Sequence, residues 1–245
     1  MTMSNFIAAV VVTGAGSGIG QATAAEFARQ GYYVVGCDVS GAGLAGTATL
    51  IGAEKFQGQV VDVRDEAQVR NAFELVAKQG IPLHAVAACA GVARTGLVHD
   101  LEQEEWDFTL GINLTGVWLT AKYAMPIFLE QRKGAFVAVG SDASVRGASG
   151  YAAYCASKHG VLGLVRCLAL DYGSYGIRSN LVCPGFVQTH DGQFVCRSRR
   201  PGGRNAGLCE RGAAGPLCAA VGSGKGNFPF GFGRGVVHQW CALFH

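Results

Sequence analysis

Residues 10–20 read VVVTGAGSGIG, a run of β-branched apolar residues that passes into a glycine-rich turn. The run predicts a buried strand, and the amphipathic stretch up to residue 29 predicts a helix. Where a strand meets a helix through glycines, backbone N–H groups and the helix dipole can face a phosphate. The spacing is Gly14-x-x-x-Gly18-x-Gly20. A tight turn without a ligand is the alternative, but the position after the first strand favours a dinucleotide.

The alternation of apolar runs and helical patterns continues along the chain. Strands are predicted over residues 7–12, 32–37, 56–61, 83–89, 135–139 and 178–182, and later helices over 65–79, 104–130 and 152–172. Continuous apolar strands separated by helices are typical of a parallel sheet covered on both faces. The predicted fold is α/β: a Rossmann-like, doubly wound parallel sheet in a single three-layer α/β/α domain. Ligands of such sheets bind at the carboxyl ends of the strands.

Asp38 ends the second predicted strand, twenty residues after Gly18. A carboxylate at this position can accept hydrogen bonds from both ribose hydroxyls of adenosine and would repel a 2′-phosphate. No Lys or Arg lies in residues 13–20 or 36–40 to bind such a phosphate. We therefore expect NAD and not NADP, against the alternative that Asp38 is an ordinary turn residue.

Tyr154 and Lys158 lie four residues apart in a predicted helix, so their side chains share one face. A nearby ammonium group stabilises phenolate and would lower the pKa of Tyr154, which makes this residue a candidate acid/base for an alcohol or carbonyl. Tyr151 is seven residues from Lys158 and out of direct reach. The spacing taken alone would fit an ordinary surface pair.

The wider set of motifs in residues 6–190 resembles the short-chain dehydrogenase/reductase family. TGAGSGIG at 13–20 looks like the cofactor turn of that family, and YCASK at 154–158 looks like its Tyr–Lys motif. NLTG at 113–116 and NLVCPGFVQT at 180–189 are similar to two further segments. Ser141 lies thirteen residues before Tyr154, as the serine of the family does, whereas Ser144 has the wrong offset and is interpreted as a loop or substrate-side residue. ACAG at 88–91 stands where the family usually has NNAG.

The resemblance implies an NAD-dependent oxidoreductase that interconverts a secondary alcohol and a ketone by hydride transfer. Ser141 would polarise the substrate oxygen, and Tyr154 would transfer the proton. Lys158 would lower the pKa of Tyr154 and bind the nicotinamide ribose, and Asn113 would hold a water. Asp62 and Val63 would contact adenine, and Val187 and Thr189 the carboxamide. The implied NAD contacts are Gly14, Ser17, Gly18, Ile19, Gly20, Asp38, Asp62, Val63, Ala90, Gly91, Tyr154, Lys158, Pro184, Gly185, Val187 and Thr189. Members commonly form homodimers or homotetramers.

Composition argues against several other classes of protein. The chain is 49% hydrophobic and 15% charged, which is not the composition of a disordered protein. No apolar run is long enough to span a bilayer. The nine Cys lack paired C-x-x-C spacing, which favours reduced thiols in a cytoplasm and argues against zinc. We expect a cytoplasmic protein with no membrane association and no metal site.

The composition changes after residue 190. Residues 1–190 carry 13 Lys and Arg against 15 Asp and Glu, whereas residues 191–245 carry 7 against 2, with twelve Gly and four Cys. The family would place a substrate loop, a last helix and a last strand here, and the sequence predicts none of them. We divide the chain into an NAD-binding catalytic domain, residues 1–190, and an atypical tail, residues 191–245.

A shift of reading frame would explain the tail. Back-translation of residues 231–244, read one nucleotide later, permits the string LASDEASFINGALF, which resembles the C-terminal region of the family. We therefore hypothesise a frame shift shortly after Thr189, and weak or no activity if the tail is literal. Two alternatives stay open. The protein could bind NAD without turnover, or the basic tail could act as a nucleic-acid-binding arm.

Overall fold

The computed structural model describes residues 6–185 and, for the backbone alone, residues 240–243. These residues contain seven strands and six helices of two turns or more. The strands are β1 (Ala9–Thr13), β2 (Tyr33–Asp38), β3 (Phe56–Val60), β4 (Leu83–Ala88), β5 (Gly134–Val139), β6 (Ile177–Pro184) and β7 (Trp240–Leu243). The helices are α1 (Gly18–Arg29), α2 (Gly41–Ile51), α3 (Glu66–Lys78), α4 (Gln103–Leu110), α5 (Gly116–Gln131) and α6 (Ala152–Tyr172).

The strands form one sheet in the order β3-β2-β1-β4-β5-β6-β7. The first six strands are parallel, and the order reverses between β1 and β4. In this register Thr13, the last residue of β1, pairs with both Cys37 and Ala88. The predicted Rossmann-like α/β fold is confirmed. Ligands of such folds bind where the strand order reverses, which in this sheet is the carboxyl edge beside β1 and β4.

The apolar strands are continuous because both faces of the sheet are covered. Val10 and Val12 of β1 belong to one buried cluster with residues of α1 and α2. Ala9 and Val11 belong to a second cluster with residues of α3, α5 and α6. All five residues of β1 are buried, so the first strand anchors the turn that follows it. No helix in the described part of the chain is both long and apolar enough to cross a membrane.

Two helical predictions are corrected by the structure. Helix α2 was not predicted, because its sequence GAGLAGTATLI has no charges and buries only Leu44 and Thr47. Its start is set by Ser40, whose side chain accepts a hydrogen bond from the Gly43 N–H at 3.0 Å. The single helix predicted over residues 104–130 is two helices, α4 and α5, joined by a π-helical turn at Gly111–Thr115.

The expectation that the tail supplies no edge strand is also wrong. Strand β7 pairs antiparallel with β6, with Leu243 opposite Leu181 and Trp240 opposite Pro184. An unpaired edge strand exposes a row of N–H and C=O groups, and a short apolar segment satisfies them through its backbone whatever the composition around it. The remaining predictions for the tail lie outside the described residues.

Candidate active site

The glycine-rich turn is shaped by close contacts that exclude side chains. Gly14 has a φ of +69°, and a Cβ there would lie 2.9 Å from backbone atoms of Ala90. A Cβ at Gly20 would lie 1.9 Å from the carbonyl oxygen of Gly14. The Ala90 N–H also donates to Thr13 Oγ1 at 3.2 Å, which ties the ends of β1 and β4 together. Ser17, Gly18 and Ile19 complete the turn and begin α1.

The carboxylate of Asp38 is held against this turn. Its Oδ2 accepts a hydrogen bond from the Gly16 N–H at 2.9 Å, and its Oδ1 accepts from the Ser40 N–H at 2.8 Å. A Cβ at Gly16 would lie only 2.8 Å from Cγ of Asp38. The glycine therefore lets the carboxylate approach the turn, and two backbone donors fix its orientation.

Asp62 and Val63 follow β3 on the same edge of the sheet. The Arg64 guanidinium binds both oxygens of Asp62, with Nη2 2.6 Å from Oδ2, and this hydrogen bond holds the pKa of Asp62 below its ordinary value. Val63 is buried, and a Cβ at Gly116 would come within 2.6 Å of it. Val63 is therefore packed against the start of α5, and Asp62 is oriented by its neighbour.

Asn113 is fully buried in the π-helical turn. Its Oδ1 accepts from the Val92 N–H, and its Nδ2 donates to the Val92 carbonyl, both at 2.8 Å. Nδ2 also donates to Ser157 Oγ at 3.0 Å. One amide N–H therefore binds the loop after β4 and the other binds α6. A water beside Asn113 would have to donate to an oxygen.

Lys158 is a buried cation at the end of β5. Its Nζ donates to the Val139 carbonyl at 2.7 Å, and a Cβ at Gly91 would lie 3.6 Å from the same nitrogen. Burial lowers the pKa of Lys158 to about 8, against opposing contributions from Cys183 and Cys89. The amine is therefore poised near neutral pH to gain or lose its proton.

Tyr154 lies one helical turn from Lys158, and the Lys158 Nζ is 5.7 Å from the centre of its ring. The expected lowering of the Tyr154 pKa is contradicted: burial raises it, and the hydrogen bond with Ser141 only partly offsets this. Lys158 does not offset this rise, because an amine with a pKa of about 8 loses its proton before a phenol with a pKa above its ordinary 10.0 begins to ionise. Tyr151, the rival tyrosine, packs edge-on against Tyr154 with 6.0 Å between ring centres.

Ser141 follows β5 and is 8% exposed. Its Oγ accepts from the Ala143 N–H at 3.2 Å and donates to Asp142 Oδ1 at 3.0 Å. Ser144 is fully buried, and its Oγ accepts from the Ser141 N–H at 3.1 Å, so Ser144 supports the loop and does not face a substrate.

The structure therefore brings the predicted residues together at one edge of the sheet. Pro184 is buried at the end of β6 and Gly185 follows it, whereas Val187 and Thr189 lie outside the described residues. Sequence reasoning missed Ser157, which accepts from Asn113 and donates to the Tyr154 carbonyl at 2.7 Å. Its position three residues after Tyr154, on the same helix face, was the available signal.

A cavity of about 340 Å³ adjoins this group on the loop after β4. It is lined by Ala93, Arg94, Thr95, Gly96, Asp100, Leu101, Glu102 and Glu105. The Gly96 N–H donates to the Gly150 carbonyl at 2.9 Å, and Gly96 bridges to Tyr151. The cavity thus borders the tyrosine side of the site. Within residues 6–185, no three His, Cys, Asp or Glu side chains are grouped to hold a metal ion.

Comparison with known proteins agrees with this geometry. The short chain dehydrogenase family model matches residues 8–196. The chain is 36% identical to D-threitol dehydrogenase of Mycolicibacterium smegmatis over 184 residues, 74% of this chain and 71% of the relative. It is 40% identical to the inactive 2-(S)-hydroxypropyl-CoM dehydrogenase 2 of Xanthobacter autotrophicus over 163 residues, 66% of this chain and 70% of the relative.

A solved structure gives the same result. The short chain dehydrogenase/reductase of Burkholderia phymatum in complex with NAD superposes with a TM-score of 0.72 and 30% identity, over 76% of this chain and 68% of that one. Fold, site geometry and sequence similarity coincide over most of the described residues. The chain therefore belongs to the short-chain dehydrogenase family.

Proposed function

We propose that this protein is an NAD-dependent oxidoreductase that interconverts a secondary alcohol and a ketone, with Tyr154 as the acid/base. The observation that carries the proposal is the placement of Lys158. Its Nζ is buried beside Gly91 and the Val139 carbonyl, one helical turn from Tyr154 and at the carboxyl edge where the glycine-rich turn also lies. A lysine is rarely buried without a partner charge, so its position favours a functional role.

The residues at this edge fit a dinucleotide. The turn from Gly14 to Gly20 brings the backbone too close to its neighbours to admit a Cβ at either glycine, and α1 begins in the same turn with no acidic residue in its first turn. Such a bare helix start can hold a pyrophosphate. Asp38 would hold the adenosine ribose, and Lys158 the nicotinamide ribose. Bound here, NAD would supply the hydride acceptor or donor of the reaction.

Asp38 supports NAD over NADP. Its carboxylate is held by the N–H groups of Gly16 and Ser40, so it cannot turn away without losing two hydrogen bonds. A 2′-phosphate at the ribose would meet this fixed negative charge. We therefore assign the expected preference for NAD to the end of β2.

The side chains at the end of β5 would handle the proton. Tyr154 would donate its proton to a carbonyl oxygen or accept one from an alcohol, and Ser141 would hold that oxygen in place. Lys158 would exchange a proton near neutral pH, because burial brings its pKa to about 8. Through its three hydrogen bonds, Asn113 would hold the loop that follows β4 at a fixed distance from α6.

Binding and turnover test different parts of this proposal. Titration of the purified chain with NAD and NADP, followed by calorimetry, should give tighter binding of NAD. A screen of NAD reduction over polyols, cyclic diols, hydroxysteroids and hydroxyacyl compounds should then find a secondary alcohol as substrate. Absence of NAD binding would refute the proposal, whereas binding without turnover would favour the second candidate.

The second candidate is an NAD-binding protein without turnover. It is favoured by the atypical composition of residues 191–245, and by the similarity to the inactive 2-(S)-hydroxypropyl-CoM dehydrogenase 2 of Xanthobacter autotrophicus. Resequencing the gene tests the frame-shift hypothesis directly, and an unbroken frame would refute it. Activity that appears only after the frame is restored would assign the loss to the tail.

The surfaces of α5 and α6 and the spacing of the cysteines bear on the assembly and the cellular location of the protein. We propose a homodimer or homotetramer through α5 and α6, supported by the exposure of Trp118 on α5 and Leu170 on α6, at 46% and 79%. Light scattering of the purified protein measures this, and a monomer would contradict it. The nine cysteines lack paired C-x-x-C spacing, which supports a cytoplasmic location. Fractionation of cells tests this location.

A further inference from the structure

Two arginines from different loops lie over one aromatic ring in this protein. The guanidinium carbon of Arg64, in the loop after β3, is 4.9 Å from the centre of the Phe108 ring. The guanidinium carbon of Arg94, in the loop after β4, is 5.2 Å from the same centre. A Cβ at Gly111, just after α4, would lie 3.3 Å from Cδ of Arg64, so a glycine there lets the arginine pass close to the backbone. Since a planar guanidinium stacks on an aromatic face, Phe108 binds both loops to α4.

Each guanidinium also has a carboxylate of its own. Nε of Arg64 is 3.0 Å from both oxygens of Asp62, and Nη2 is 2.6 Å from Oδ2. Nε of Arg94 is 3.2 Å from Oε2 of Glu105, which lies on α4 one helical turn before Phe108. Two carboxylates thus offset two guanidinium charges that would otherwise repel each other beside one ring. We call these five residues the arginine–phenylalanine cluster.

The loop that carries Arg94 is bound at two other points. Before Arg94, the Val92 N–H donates to Asn113 Oδ1 at 2.8 Å. After it, the Gly96 N–H donates to the Gly150 carbonyl at 2.9 Å. Arg94 is therefore the side chain through which the arginine–phenylalanine cluster holds the middle of this loop.

The arginine–phenylalanine cluster also joins two sides of the proposed site. The loop after β3 carries Asp62 and Val63, which we expect to contact adenine. The loop after β4 borders the cavity, and Arg94 and Glu105 are part of the cavity wall. The same loop bridges to Tyr151, next to the proposed acid/base. The contacts of one ring therefore connect the adenine side of the site with its tyrosine side.

We propose that Phe108 is a positioning residue whose ring holds Arg64 and Arg94 together, and so fixes the loop after β3 against the loop after β4. The proposal rests on the proposed function for the ligands of the two loops, which are the adenine half of NAD and the alcohol or ketone. A dinucleotide bound at Asp62 then also orders the cavity wall beside Tyr151. Without the ring, each arginine keeps its own carboxylate, and the two loops are no longer held together.

The free protein tests this role without any ligand. Amide hydrogen exchange of residues 92–97 reports on the loop after β4, because the N–H groups of Val92 and Gly96 are hydrogen-bonded there. Arg64→Gln removes one cation from the ring and should speed this exchange by roughly twofold to fivefold. Arg70→Gln is the matched control, since Arg70 is an exposed arginine with an ion pair on α3, and it should leave the exchange unchanged.

Substitutions of Phe108 separate the ring from general packing. Phe108→Tyr keeps the ring and should exchange like the unsubstituted chain, whereas Phe108→Leu should exchange at least as fast as Arg64→Gln. Arg64→Gln added to Phe108→Leu should then cause no further change. The proposal is overturned if Arg64→Gln has no effect, or if its effect is the same with and without the ring. If Phe108→Leu does not fold by circular dichroism, the difference between Arg64→Gln and Arg70→Gln decides.

Adenosine monophosphate separates this proposal from the proposed function, because it can fill only the adenine side of the site. At saturation it should slow the exchange of residues 92–97 by roughly twofold or more in the unsubstituted chain and in Phe108→Tyr, but not in Phe108→Leu. Equal slowing in all three proteins would refute the role of Phe108 alone. A chain that binds neither adenosine monophosphate nor NAD would refute the proposed function, and the exchange of the free protein would still decide the role of Phe108.

Discussion

The carboxyl edge of the sheet has two halves that are built from different parts of the chain. At the ends of β1 and β2 the site is mostly backbone: glycines packed against Ala90, the N–H groups of Gly16 and Ser40, and a single carboxylate, Asp38. At the ends of β4 and β5 it is mostly buried side chains. The first half depends on glycines, because their lack of a Cβ lets the backbone pack closely. The second half depends on the functional groups of its side chains.

This difference separates the effects of mutation. Adding a methyl group should damage the backbone half through steric overlap and loss of nucleotide binding. Removing a polar atom should damage the side-chain half through chemistry, with the fold retained. The predictions that follow test this separation, from the largest expected effect to the smallest.

Tyr154→Phe should remove turnover and spare the nucleotide half. We expect kcat to fall by about a hundredfold to ten-thousandfold, because the phenol proton is lost and the ring is kept. NAD affinity, measured by calorimetry, should change by less than about threefold. Tyr151→Phe is the matched control, and equal losses of kcat in the two variants would contradict the assignment.

Gly20→Ala should damage the backbone half without touching a reactive group. The added Cβ would lie 1.9 Å from the Gly14 carbonyl oxygen, so the turn must move. We expect the free energy of unfolding to fall by about 3 kcal/mol and NAD binding to weaken strongly. Gly46→Ala, in the middle of α2 with nothing within 4 Å, should instead stabilise by about 0.5–1 kcal/mol. Urea unfolding measures the change in the free energy of unfolding for both variants. A change of the same sign in both would contradict the assigned role of the glycine-rich turn.

Lys158→Met should stabilise the fold at neutral pH. Burial depresses the pKa of Lys158 from its ordinary 10.5 to about 8 in the folded state. The unfolded chain therefore binds more protons than the folded protein between these two pH values. The buried lysine costs no free energy of unfolding above pH 10.5, and the cost grows as the pH falls and is complete below about 8. Net of the lost hydrogen bond to Val139, we expect a gain of about 1–2 kcal/mol at neutral pH.

The gain should shrink as the pH is raised, because the wild-type lysine then becomes neutral in the folded state. Urea unfolding of both proteins at pH values on either side of the folded pKa measures this change. Lys78→Met, at the exposed end of α3, is the control and should show no such pH dependence. A stability difference independent of pH would contradict the burial of a titrating amine.

Asp38→Asn should have the smallest effect of the four and act mainly on cofactor choice. The amide keeps one oxygen acceptor, for either the Gly16 or the Ser40 N–H, and loses the other hydrogen bond together with the charge that faces the ribose. We expect the ratio of NAD to NADP affinity to fall by about tenfold, or about 1.4 kcal/mol. Calorimetric titration measures the ratio, with Asp171→Asn, an exposed aspartate in the last turn of α6, as control. An unchanged ratio would remove Asp38 from the basis of NAD preference.

Much of the fold was predictable from local pattern, and the failures have local causes. β1 and β2 were predicted to within two residues because they are continuously apolar, and α6 was predicted with the bounds that the structure gives. α2 was missed because its uncharged, glycine-rich sequence has no clear hydrophobic face. The break at Asn113 was missed because a π turn depends on tertiary hydrogen bonds to Val92 and Ser157, which the sequence pattern does not reveal.

The sequence by itself determined where the chain must be glycine, which tyrosine has a lysine one turn away, and that Asp38 ends a strand. These are short-range properties, set by backbone sterics and helix periodicity. Only the tertiary structure decided that Lys158 donates to Val139, that Asp38 accepts from Gly16, and that Tyr154 is harder to ionise than expected. The reason is physical: strand register brings together groups far apart in the chain, and burial, which shifts each pKa, is a property of the packed molecule.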